Sequence, residues 1–146
     1  MKKFVRFICM TLALSLLLAM PAYAESTAET RGSIFFASYY TDLCKVSSTS
    51  FEIWFDVDAN AAMMDVLGVS EIIVYRSTDQ QTWKEMKVYE PDDFPEMLDT
   101  SSYSHTGHVT YSYATPGCYY TAYITFYAED SRGVGERYVY TEILRM

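Results

Sequence analysis

Between Gly117 and Ala128 the chain alternates strictly with a period of two. Tyr120, Ala122, Ile124, Phe126 and Ala128 fall on one side, and Tyr119, Thr121, Tyr123, Thr125 and Tyr127 on the other. Successive side chains of a strand take opposite faces, so only an extended strand gives each set a face of its own. Tyr, Thr, Phe and Ile also suit a pleated surface. A strand this long needs neighbours on both sides, because its backbone N–H and C=O groups must be paired once buried. The stretch therefore predicts a central sheet strand with one apolar face and one Tyr/Thr face.

The rest of the chain supplies candidate neighbours. Ser33–Tyr40 reads as the first strand, with Thr41–Thr49 extending it after a bend. Ser50–Asp58 alternates clearly, with Phe51, Ile53, Phe55 and Val57 apolar and Glu52, Asp56 and Asp58 wet. Trp54 falls on the wet side, either covered by a neighbouring segment or serving as a contact residue. Ala59–Gly68 breaks the alternation. Its alanines and methionines predict a short helical insertion ended by Gly68. Glu71–Ser77 and Thr82–Tyr89 read as a hairpin about a Thr78–Gln81 turn. Pro91 and Pro95 make residues 91–107 a long connection without a central strand. His108–Ala114 alternates again, with Val109, Tyr111 and Tyr113 on one face. Glu129–Glu136 reads as a hairpin loop and Arg137–Leu144 as the last strand. About seven strands, short turns and one long crossover point to a single all-β antiparallel sandwich of the immunoglobulin or fibronectin-III type.

The N-terminus carries a different signal. Lys2, Lys3 and Arg6 precede an apolar run from Phe7 to Met20, and Ala22-Tyr23-Ala24 has the small-residue form of a cleavage site. This is the pattern of a secretory signal peptide over residues 1–24, followed by a flexible polar arm over 25–32 and the domain over 33–146. The apolar run is short for a bilayer span of ~20 residues, so after cleavage no membrane association is expected. With Lys2, Lys3 and Arg6 gone, 8 basic side chains face 19 acidic ones, a net charge of −11. Such a balance disfavours nucleic acid and anionic lipid. It tolerates cationic partners and divalent cations. Export makes a Cys44–Cys118 disulfide permissible, the alternative being two free thiols.

Two resemblances add to this. Ile72–Asp79 with Trp83, and then Pro116–Gly133, resemble the middle hairpin and final strand pair of a fibronectin-III domain. In that likeness Tyr120 corresponds to the buried corner tyrosine. Met64-Asp65, Leu67-Gly68, Ile72, the Trp83 hairpin, Val109–Tyr111 and Tyr123–Ala128 resemble features of small, uncharacterised secreted proteins of Gram-positive bacteria. That resemblance implies export to the extracellular side and a β-sandwich, and it carries no assigned activity.

Chemistry-bearing motifs are sparse. Ser77–Trp83 resembles the Asp-box turn of sialidases without its glycine. That motif is a fold element, so the stretch reads as a hairpin turn carrying a packing tryptophan. His105 and His108 are the two histidines, and a zinc site needs about three or four ligands. Asp92, Asp93, Glu96 and Asp99 offer carboxylates without the spacing of an EF-hand. Glu129, Asp130 and Glu136 stand the same way. No phosphate loop, nucleophile elbow or zinc-helix motif is present, so no enzyme, metal or cofactor is expected. The Tyr119, Tyr123 and Tyr127 stripe, widened by Tyr138 and Tyr140, is the candidate binding face. Tyrosine is enriched at interfaces, and aromatic faces stack on sugar rings. The expectation is a secreted, non-enzymatic binding or adhesion module for an extracellular protein or glycan. The alternative is a structural component that self-associates in the envelope or matrix.

Overall fold

The computed structural model describes residues 34–146; the expected signal peptide (1–24), the polar arm (25–32) and Ser33 lie outside the described residues. Among the described residues nine strands follow in chain order: β1 Phe36–Lys45, β2 Phe51–Ala59, β3 Met64–Ser77, β4 Lys84–Tyr89, β5 Leu98–Ser102, β6 Ser104–Tyr111, β7 Tyr119–Asp130, β8 Gly133–Tyr140 and β9 Leu144–Arg145. They form two antiparallel sheets. One has three strands in the order β1-β2-β6. The other has six, in the order β4-β3-β7-β8, with β5 also on β3 and β9 also on β7.

The expected helical insertion at Ala59–Gly68 is not formed. After a bend, with Ala61 at φ 63°, the chain enters β3 at Met64. Val66, Leu67 and Gly68 pair with β5 on one flank and β7 on the other. Two ladders of backbone hydrogen bonds override the helical preference of a few alanines and methionines. Gly68, expected at a helix end, sits mid-strand. A Cβ there would lie 2.2 Å from the Met97 carbonyl oxygen. The expected connection over 91–107 is also shorter than its prolines suggest. Pro91 and Pro95 confine the irregular part to a turn and a 3-10 turn at Pro95–Met97. The chain then makes β5 and starts β6 at Ser104, four residues earlier than expected. β6 ends at Tyr111, so Tyr113 leaves the alternation and is 75% exposed. The expected Glu129–Glu136 loop shrinks to a tight turn, because β8 begins at Gly133.

The apolar faces of both sheets feed one core. Phe51, Ile53, Phe55 and Val57 from β2 meet Tyr120, Ala122, Ile124, Phe126 and Ala128 from β7 in a single buried cluster. The Phe51 ring lies 5.1 Å from Tyr120 and 5.2 Å from Tyr111, and Tyr39 lies 5.2 Å from Phe126. Each fully buried aromatic or branched side chain contributes roughly 1.5–3 kcal/mol. Two hydroxyls stitch the core to the backbone. Tyr89 on β4 donates to the Thr110 carbonyl on β6 at 2.9 Å, tying one sheet to the other. Tyr120 accepts from the Thr115 N–H at 2.8 Å.

Candidate binding face

The outward set of β7 occupies the face of the six-stranded sheet away from the core. Register brings its neighbours beside it. Tyr123 pairs with Ile73 on β3 and Tyr140 on β8, Thr121 with Tyr75, and Thr125 with Tyr138 and Glu71. Cross-strand partners share a face, so four tyrosines from three strands, Tyr75, Tyr123, Tyr138 and Tyr140, converge around Tyr123 and Thr121. The Tyr123 ring stacks on Tyr138 at 6.0 Å and 8° and lies 4.9 Å from Tyr140. Tyr140 in turn lies 6.5 Å from Tyr75. Tyr138 and Tyr140 are 57% and 63% exposed, while Tyr123 is half-buried beneath them.

The ends of the expected stripe are engaged differently. Tyr119 lies under the Arg145 guanidinium, 5.7 Å from its ring. Tyr127 donates to Glu129 at 2.6 Å, and that bond to a carboxylate, with burial second, pushes the phenol up to about 12. Tyr138 is raised in the same way by its bond to Glu136. Burial, then Tyr140 and the nearby glutamates, raises Tyr75 and Tyr123. These phenols stay neutral across the physiological range. Thr121, between Tyr119 and Tyr123, is buried and bonded to the equally buried Thr141. Thr121 donates to the Thr141 carbonyl at 3.0 Å, and the Thr141 hydroxyl accepts from the Ala122 N–H at 2.9 Å.

Beside Tyr140 the face dips into an open groove of about 460 Å³, walled by Tyr75, Trp83, Tyr140 and Ile143 over Thr121 and Thr141. The reading from alternation missed Tyr75, Trp83 and Ile143. A signal for Tyr75 was present, since Ile72 and Val74 alternate inward just before it and turn Ile73 and Tyr75 outward. Trp83 is set by the turn before it. Asp79 Oδ1 accepts from the Ser77 hydroxyl at 2.8 Å and from the Gln81 and Thr82 N–H groups at 2.9 Å each. The Ser77 hydroxyl accepts from the Gln80 N–H at 2.9 Å. The backbone donors, Thr82 first, pull the Asp79 carboxyl down to about 2. The Asp-box-like stretch thus works as a rigid turn that delivers the tryptophan to the groove.

The other candidates are not brought together. Leu43 is buried, so Cys44 on the same strand points outward, where its thiol faces Asp42. Cys118 is buried, and both thiols are free. The strand's alternation turns Cys44 away from the core and leaves no bridge to Cys118. His105 and His108, three apart on β6, take opposite faces. His105 packs by Phe55 and shares a 2.9 Å hydrogen bond with the Glu96 carbonyl. His108 stacks on Trp54 at 4.5 Å on the polar outer face of the three-stranded sheet, where Trp54 donates to Glu52 at 2.9 Å. Among the described residues no three His, Cys, Asp or Glu side chains gather as a metal site, and no helix is long and apolar enough to cross a membrane. No protein-family model and no curated protein matches the chain.

Proposed function

We propose that this chain is a secreted, non-enzymatic binding module that engages an extracellular partner through the aromatic outer face of its six-stranded sheet. The observation that carries the reading is the continuous aromatic surface formed by Tyr75, Trp83, Tyr123, Tyr138 and Tyr140 at one groove. Exposed aromatic patches of this kind suit recognition, because large rigid rings give contact area at small entropic cost. The scaffold reads as a β-sandwich of fibronectin-III type. The orders β1-β2-β6 and β4-β3-β7-β8 support this, as does the Tyr120 hydroxyl bound to the backbone five residues upstream at the start of β7, in the manner of a tyrosine corner. The basic and apolar N-terminus and the resemblance to small secreted Gram-positive proteins support the extracellular setting.

The test is capture by the purified chain from cell-envelope fractions and from mucus glycans, run beside Tyr138→Ser/Tyr140→Ser. Both tyrosines are exposed, so the variant is expected to fold, which circular dichroism checks. Saturable capture that the folded variant loses supports the reading. Capture unchanged in the variant contradicts it. Concentration-dependent assembly without added ligand, abolished by the same variant, would favour self-association instead.

A further inference from the structure

The groove beside Tyr140 has a chemistry of its own. Its walls are three aromatic rings and Ile143. Its two floor hydroxyls are committed, Thr121 to the Thr141 carbonyl and Thr141 to the Ala122 N–H. A sugar ring brings a rim of hydroxyls that need paired donors and acceptors next to the stacking ring, and the two hydroxyl protons of this floor are already committed. What the walls offer is the Trp83 indole N–H, a donor only, and the Tyr75 and Tyr140 phenols; none of these makes a hydrogen bond within the described residues. The matching ligand is apolar, extended and rich in unpaired acceptors.

Charge narrows the match further. Glu85 pairs with Tyr75, Glu71 with Thr125, and Glu136 with Tyr127, so all three carboxylates share this face. Arg76, Lys84 and Lys87 alternate to the opposite side of their strands. Arg76 reaches Thr115 there, and Lys87 lies over the Tyr89 ring. Arg145 shares the face as well, over Tyr119 at its end, so carboxylates outnumber the cation around the groove.

We propose that this groove seats a proline-rich polypeptide segment in the polyproline II conformation, with basic residues on its flanks. The proposal rests on the reading of this face as a binding surface and names its occupant. Proline has no N–H to donate and leaves its carbonyls free. A polyproline II segment has no internal hydrogen bonds and is already extended, so it loses little entropy on docking. Its pyrrolidine rings fit between aromatic side chains, its carbonyls accept from Trp83 and the phenols, and its basic flanks meet Glu71, Glu85 and Glu136.

The experiment titrates the purified chain with three synthetic probes: a polyproline peptide with arginine flanks, a glycine-serine peptide with the same flanks, and a chito-oligosaccharide. The polyproline peptide is expected to bind about tenfold or more tighter than the glycine-serine peptide, and Trp83→Ala to weaken it by a similar factor. Tyr140→Ser, at a position 63% exposed, gives a second variant whose folding is not in question and is expected to act in the same direction. Equal affinity for the two peptides would mean charge alone and overturn the proposal, as would no binding of either. Trp83-dependent binding of the oligosaccharide alone would overturn the peptide assignment and leave the binding face standing. If envelope capture is indifferent to Tyr138→Ser/Tyr140→Ser, the face itself falls.

Discussion

Replacing Tyr120 by Phe removes one oxygen from the centre of the fold. The ring is fully buried, packed against Phe51 and Tyr111, and its hydroxyl accepts from the Thr115 N–H at 2.8 Å. Phe keeps the ring and its contacts, so the loss is confined to that hydrogen bond and a void of one oxygen. Thr115 is exposed, so water can re-solvate part of its N–H, which holds the cost to about 1–1.5 kcal/mol. For a domain of this size that lowers the melting temperature by about 3–9 °C. Tyr111→Phe is the control, because Tyr111 sits in the same aromatic cluster and its hydroxyl makes no hydrogen bond within the described residues. Its expected loss is less than about half as large. Urea unfolding followed by circular dichroism gives both values, and unchanged m-values show that the compactness of the end states is the same. If Tyr120→Phe is no more destabilising than Tyr111→Phe, the corner bond does not hold the strand start, and the reasoning about it is refuted.

Gly68→Ala drives a Cβ into the Met97 carbonyl, a backbone atom that cannot swing aside, at a φ of +150°. A loss of about 3 kcal/mol is expected in the same urea assay. Gly117→Ala, at φ +83° with open space around it, should cost only about 1 kcal/mol of backbone strain. Equal losses would contradict the close approach at Gly68. The Asp79 carboxyl is held down to about 2 in the folded chain against an ordinary 3.8, so its stabilisation is complete above the ordinary value and is lost as pH falls through about 2. Asp79→Asn should therefore melt below the parent at neutral pH, with the gap closing between pH 3.8 and 2; a gap constant over that window would show that the carboxylate is not the acceptor holding the turn. Under native conditions an alkylating reagent should modify Cys44 and spare buried Cys118, with both reacting once the chain is unfolded. Burial and Asp42 raise the Cys44 thiol, so its rate should climb with pH. Protection of both until a reductant is added would mean a bridge.

What was legible in the sequence is what periodicity carries. Gly117–Ala128 and Phe51–Asp58 announce strands with correct inward faces, because a period of two has one structural solution. Met64–Gly68 misleads because helix-favouring residues are placed between two partner strands, and that partnership is tertiary. Leu98–Ser102 has almost no apolar pattern, being an edge segment held by backbone pairing to β3, so nothing in its side chains announces a strand. The binding face divides in the same way. Alternation puts Tyr119, Tyr123 and Tyr127 outward. It cannot show that Tyr119 and Tyr127 are engaged at the ends by Arg145 and Glu129. Nor can it show that register sets Tyr75, Trp83, Tyr140 and Ile143 around one groove, since these come from separate parts of the chain.

The two tryptophans offer the most direct test of the binding face. Trp83 lines the groove of the six-stranded sheet, while Trp54 is bound to Glu52 and stacked by His108 on the outer face of the other sheet. Their indole N–H signals in a nitrogen-15 correlation spectrum report on the two outer faces separately. Titration with the arginine-flanked polyproline peptide, or with any partner captured from the envelope, should shift the Trp83 indole signal and leave the Trp54 signal in place. A shift of Trp54 with Trp83 unmoved would place binding on the three-stranded sheet and contradict the account.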